Sequence, residues 1–94
     1  MEDIFLKNLP TLDLHGYDRE SARVTTDDFI NENLFLKNNK IVIIHGKGAG
    51  IVKEAVHSTL KTRKEVLNYY TDYQNDGCTI VYLCVIVNDV ITKI

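Results

Sequence analysis

The run Ile41-Val42-Ile43-Ile44 passes directly into His45-Gly46-Lys47-Gly48-Ala49-Gly50, and this junction constrains the fold more than any other stretch of the chain. Four consecutive β-branched residues leave no polar side. They predict a strand covered on both faces and therefore central in its sheet. Three closely spaced glycines then predict a loop. Behind them Val52, Ala55, Val56, Thr59 and Leu60 recur at i, i+3, i+4, i+7 and i+8, the spacing of a helix with one apolar stripe. The opposite face of that helix is expected to carry Lys53, His57 and Lys61.

The flanking segments complete the pattern. After Pro10, the alternation Leu12-Asp13-Leu14-His15 predicts a short strand ended by Gly16, with Asp13 and His15 on one side of it. Asp18 is a good N-cap for a helix starting at Arg19, and Glu20 suits the positive end of its dipole. The helical stripe runs through Ala22, Thr25, Thr26, Phe29, Ile30 and Asn33, and Asn38-Asn39 is expected to stop it. Two β-rich runs, 66–73 and 78–87, flank the turn Gln74-Asn75-Asp76-Gly77. The order is βαβαββ, an α/β fold with a mixed sheet. A helix joins the first two strands, so they should be parallel, with His15 and His45 emerging at one edge.

All 94 residues fit one domain, 1–94. The chain is too apolar for disorder and too interrupted by charge for a membrane span. Its net charge of −2 does not advertise a polyanion partner, but the charge is segregated. Residues 1–36 hold three basic against eight acidic side chains, residues 37–64 seven against one, and residues 65–94 one against four. The basic third is either a polyanion-facing side or a solvated helix face. Cys78 and Cys84 fall in one expected strand, roughly 20 Å apart, so they should not bridge. Free thiols and a start without a secretory signature point to a cytoplasmic protein.

A strand feeding a glycine-rich loop that opens a helix is suited to phosphate. Glycines let the backbone approach, the helix N-terminus offers amide donors, and Lys47 adds a full charge. The loop is not a Walker A motif, because no Lys-Ser or Lys-Thr pair follows the required spacing, and Ile51 stands where a dinucleotide fingerprint needs glycine. A plain tight turn is the alternative. Asp13 and His15 likewise have more than one use. The carboxylate can orient the imidazole or ligate a divalent cation, or both residues can bond nearby backbone and pin the loop.

In combination, LDLHG at 12–16, IVIIHGKGAG at 41–50 and GCTIVYL at 77–83 resemble the Smr (small MutS-related) domain over residues 10–83, leaving 84–94 as a C-terminal extension. The resemblance implies a two-layer sandwich with a four-stranded sheet, similar to the C-terminal domain of translation initiation factor three. It also implies DNA or RNA binding and, in several members, endonuclease activity. Such domains occur alone and at the C-terminus of MutS-type ATPase paralogues. By position, Asp13, His15 and His45 become the catalytic candidates, and Gly46, Lys47, Gly48, Gly50 and Lys53 the phosphate-binding ones. His15, oriented or assisted by Asp13, would move protons while His45, Lys47 and the amides around Gly48 to Gly50 hold the phosphate. Ala49 replaces the threonine common in the family, and Val52-Lys53 a leucine-arginine pair. Asp13 alone supplies too few ligands to define a divalent-metal site, so a metal cofactor stays open. The rival class is a non-catalytic module for structured RNA, ribosomes or branched DNA. Tyr69, Tyr70 and Tyr73 are expected on both sheet faces, able to stack bases or to pack the hairpin. Residues 84–94 read either as a core extension or as a self-association edge.

Overall fold

A computed structural model describes residues 9–48, 50–87 and 90–92. The elements are β1 (Thr11–Asp13), α1 (Arg19–Phe35), β2 (Lys40–Ile44), α2 (Ile51–Thr62), β3 (Val66–Thr71), β4 (Cys78–Leu83), β5 (Val85–Val87) and β6 (Val90–Thr92). The first four strands make one sheet in the order β1-β2-β4-β3, and β5 and β6 make a separate antiparallel pair. β1 and β2 are parallel, and β4 is antiparallel to both of its neighbours.

The β-branched run is central, as its composition predicts, and strand parity sorts its side chains. Ile41 and Ile43 face the helices and join Leu14, Val81 and Leu83 in a core closed by Ala22, Ile30, Ala55, Val56 and Leu60. Both helices therefore lie on one side, giving two layers. On the reverse side Val42 pairs with Ile80 and Ile44 with Cys78, and Val42, Cys78 and Ile80 are buried there too. Each large aliphatic side chain buried this way contributes about 1.5–3 kcal/mol.

Local capping sets the ends of α1. The Asp18 carboxylate accepts the Ser21 backbone N–H at 2.8 Å, as expected of an N-cap. The helix stops at Phe35, ahead of the expected Asn38-Asn39. Lys37 takes a left-handed conformation at φ +67, its N–H bonds to Leu34 O, and the N–H of Asn38 reaches back to Asn33 O at 2.9 Å. These paired bonds form a Schellman motif with lysine where glycine is usual. Asn33, buried, accepts the Asn38 side-chain amide and donates to Phe29 O, so the asparagine acts one turn inside the helix end.

The second half corrects two boundaries. β3 ends at Thr71, because the Asp72 carboxylate accepts Gln74 N–H and folds the chain into a six-residue connection. The expected strand 78–87 breaks after Leu83. Cys84 turns its N–H to Glu65 O at 2.8 Å, and Val85 starts the β5–β6 pair. Cys84 thus lies past the end of β4, and both cysteines are free thiols. Of the extension, residues 88, 89, 93 and 94 lie outside the described residues. Among the described residues no helix is long and apolar enough to cross a membrane.

Candidate functional site

Because β1 and β2 are parallel, the loops that follow them leave the same edge of the sheet. In the first loop Leu14 is buried and donates to Ile44 O at 2.8 Å, fixing the loop against β2. The Asp13 carboxylate accepts the backbone N–H of His15 at 2.9 Å, and Gly16 turns the chain at φ +84. In the second loop the N–H groups of His45 and Gly46 both go to Gly77 O, at 2.8 and 3.0 Å. Space at Gly77 is tight: a Cβ there would lie 3.2 Å from Asn75 Oδ1 and 3.3 Å from Lys47 Cγ, so those side chains would have to give by a few tenths of an ångström. The start of β4 is therefore pressed against the glycine loop.

Between the loops lies an open cleft of about 330 Å³. Tyr17, Asp18 and Arg19 form one wall; His45, Gly48, Gly50, Ile51 and Val52 form the other. Gly50 caps α2 at φ +86, and among the described residues no side-chain cap hydrogen bond is made at the start of this twelve-residue helix. Three cations stand nearby in sequence. Arg19 donates to Glu54 at 2.9 Å, Lys47 lies 3.6 Å from Asp76, and Lys53 is half-buried on α2. Both ion pairs are well exposed and worth only about 0–1 kcal/mol each. They are cheap to exchange for another anion.

The catalytic candidates separate. His15 and Asp13 are exposed, and the carboxylate meets His15 at its backbone N–H, pinning the loop. No bond between that carboxylate and the His15 ring is present among the described residues. His45 is 6 % exposed, and both its ring nitrogens have protein partners: Nδ1 the Gly46 carbonyl at 3.0 Å and Nε2 the Thr79 hydroxyl at 2.7 Å. Burial holds its imidazole below the ordinary value, with Lys53 adding to the effect and the Gly46 carbonyl opposing it. In this arrangement both ring nitrogens of His45 are taken up by protein partners. Gly46, Lys47, Gly48, Gly50 and Lys53 do sit along the second loop and the start of α2. Among the described residues no three His, Cys, Asp or Glu side chains gather so that they could hold a metal ion.

His57 is also placed differently from expectation. It is half-buried, with Nε2 2.8 Å from Thr79 Oγ1 and its ring edge-on to Tyr69 at 5.1 Å. Its position beside the apolar stripe of α2 leaves it facing β3 and β4, not solvent. Of the tyrosines, Tyr69 packs on the helix side, Tyr70 lies beside Tyr82 on the reverse side, and Tyr73 falls past the end of β3. Tyr17, Arg19, Gly77 and Thr79 are not marked as site residues by the sequence, where Arg19 enters only as a helix start and Gly77 and Thr79 only within GCTIVYL. For Arg19 a signal existed, since the first residue of a helix that follows LDLHG must stand beside that loop.

A four-stranded mixed sheet, two helices on one face and a glycine-lined cleft where two parallel strands end define a small two-layer α/β domain. The Smr domain family matches residues 12–84, and the chain belongs to that family. It is 38% identical over 76 residues to Endonuclease MutS2 of Ligilactobacillus salivarius, covering 78% of this chain and 10% of that protein. A second relative, Endonuclease MutS2 of Halothermothrix orenii, is 34% identical over 68 residues. The chain thus spans about a tenth of the length of these curated relatives. The crystal structure of the Smr domain of Thermus thermophilus MutS2 aligns with a TM-score of 0.77 at 26% identity, covering 80% of this chain and 98% of that one. YdaL, a stand-alone small MutS-related protein from Escherichia coli, aligns at 0.74 and 28% identity, covering 78% of this chain and 63% of that one.

Proposed function

We propose that this Smr domain binds DNA or RNA by holding a backbone phosphate in the cleft between the two loops. The observation that carries the reading is the cleft itself, which joins the open N-terminus of α2 to a loop with Lys47 on one side and to Arg19 on the other. Amides of the first turn of α2 would hold the phosphate, and Arg19, Lys47 and Lys53 would supply charge. Gly46 and Gly50, both at positive φ, let the backbone pass close to the ligand. The basic stretch 37–64 supports the same side as the polyanion face.

Hydrolysis of the phosphodiester is the second reading, favoured by one observation. His15 keeps an exposed ring at the sheet edge where the glycine loop also emerges, and none of the hydrogen bonds seen among the described residues involves that ring. It is the side chain available to move a proton. Asp13 positions it through the backbone. The relatives named endonucleases support this reading, while the engagement of His45 favours binding alone.

Equilibrium binding to single-stranded, duplex and branched substrates, with cleavage read from the same mixtures on gels, tests both. Affinity without cleavage at any substrate selects the binding module, which could equally serve a ribosome. No affinity for any of the three removes the cleft as a nucleic-acid site. A crystal soaked in sulfate adds a direct check, the anion being expected at the first-turn amides of α2 beside Arg19 or Lys47.

A further inference from the structure

Beneath the glycine loop, three side chains form a bonded row that the phosphate reading does not use. His45 emerges from β2, Thr79 is wholly buried on β4, and His57 stands on the flank of α2. Nδ1 of His45 lies 3.0 Å from the Gly46 carbonyl oxygen, its Nε2 2.7 Å from Thr79 Oγ1, and Thr79 Oγ1 2.8 Å from Nε2 of His57. The two imidazole rings are nearly perpendicular, with centroids 5.9 Å apart.

With both rings neutral, these contacts admit one arrangement of protons. A carbonyl oxygen can only accept, so His45 donates from Nδ1 to Gly46. Its Nε2 is then a bare lone pair and takes the Thr79 hydroxyl hydrogen. Thr79, its own hydrogen engaged, accepts from the Nε2–H of His57. The row therefore has a direction. It runs from α2 across β4 to the carbonyl of Gly46, the residue at φ +85 where the loop leaves β2. A second anchor meets it there, since Gly77 O takes the N–H groups of His45 and Gly46.

We propose that Thr79 and His57 are positioning residues: by holding Nε2 of His45 they orient the ring whose Nδ1–H bonds the Gly46 carbonyl, and so set the shape of the loop that carries Lys47. Neither residue touches the cleft. The last link, from loop shape to phosphate holding, rests on the function proposed above; the link from the row to the loop does not.

The test uses the full chain labelled with nitrogen-15. Long-range imidazole spectra of the neutral protein should show His45 as the Nδ1–H tautomer and His57 as the Nε2–H tautomer. Thr79→Val keeps the shape and removes the hydroxyl, so the His45 ring should lose its fixed orientation, and both its imidazole resonances and the amide resonances of Gly46, Lys47 and Gly48 should shift. Thr79→Ser should restore both. His57→Phe, on the half-buried flank, is a second variant that keeps the packing, and it should shift the same loop amides. Nucleic-acid affinity should fall by about five- to tenfold in Thr79→Val and His57→Phe, the size of one missing hydrogen bond, and recover in Thr79→Ser. An Nε2–H tautomer for His45 in the unaltered protein, or loop amides unmoved in both variants, overturns the proposal. Unaltered affinity in variants whose loop amides have moved overturns its last link. If the unaltered protein binds no nucleic acid while tautomers and loop respond as stated, the phosphate function falls and the positioning role stands.

Discussion

Arg19 donates to Glu54 at 2.9 Å, joining the first turn of α1 to the first turn of α2 across 35 residues of sequence. The bond bridges the two helix starts that border the cleft. It is exposed at both ends, so its effect lies in where it keeps the guanidinium and not in its contribution to stability. Lys47 stands in a similar relation to Asp76 on the connection before β4. Arg19 lines the cleft and Lys47 belongs to the loop that borders it, and each is paired with an exposed carboxylate.

Removing either cation should therefore weaken nucleic-acid binding, and removing its carboxylate should strengthen it. Arg19→Ala and Lys47→Ala are each expected to lower the salt dependence of the binding constant by roughly one unit of slope for every phosphate no longer neutralised. Glu54→Gln and Asp76→Asn should raise affinity at low salt by roughly two- to fivefold, the size of an exposed charge effect. Fluorescence anisotropy across a salt series reads both. Slopes that stay fixed in both alanine variants would place the binding surface elsewhere.

On the hydrolytic reading, His15→Ala should cut turnover by roughly two to four orders of magnitude while leaving the dissociation constant nearly unchanged. Single-turnover cleavage, with binding measured in parallel, separates the two quantities. A His15→Ala protein that cleaves at the normal rate would reduce this residue to a loop component.

Stability should fall as the solution is acidified through the imidazole range. Burial lowers the affinity of both His45 and His57 for protons. His45, Lys53 and Lys61 press further on His57, whereas at His45 the Gly46 carbonyl and Asp76 act the other way. The unfolded chain, titrating near its ordinary value of about 6.5, therefore binds more protons than the folded one. The stabilisation is present above that value and is lost as pH falls from there through the lowered folded values. Thermal melts at about pH 7.5 and about pH 5.5 should show the lower Tm in acid, with a smaller difference in His57→Phe. Identical pH dependence in the variant would mean that His57 carries none of the effect.

At the end of α1, Lys37→Gly should stabilise the domain. Lysine holds the left-handed conformation at φ +67 that glycine adopts without a Cβ clash. A gain of about 0.5–1 kcal/mol is expected after allowing for the greater freedom of glycine in the unfolded chain. Urea unfolding measures it, and a loss of stability would show that the lysine stem makes contacts that outweigh the backbone cost.

These residues also show what a sequence can and cannot disclose. The Asp18 cap is legible because it acts within three residues, and the central place of β2 because four β-branched side chains admit little else. The Schellman turn at Lys37 is not, since lysine carries no left-handed preference and tertiary context imposes the conformation. The break at Cys84 is hidden in a β-rich run, 78–87, and is decided by a bond to Glu65, which no local pattern announces. At the site, the two loops and their shared edge follow from the parallel crossover. The partners of His45 do not, because Thr79 and His57 lie 34 and 12 positions away along the chain. Asp13 could partner an imidazole or pin its own loop, and the structure places it in the second arrangement.

β4 lies between β2 and β3, yet it is the last of the four strands to be synthesised. Until Cys78–Leu83 leaves the translating machinery, β2 has one bare edge and β3 has nothing to pair with. At translation rates of about 5–20 residues per second, the stretch from Thr71 to Leu83 keeps those edges open for on the order of a second. The domain is therefore all-or-none during its production. A chain cut short before Cys78 loses the middle of its sheet, not its margin.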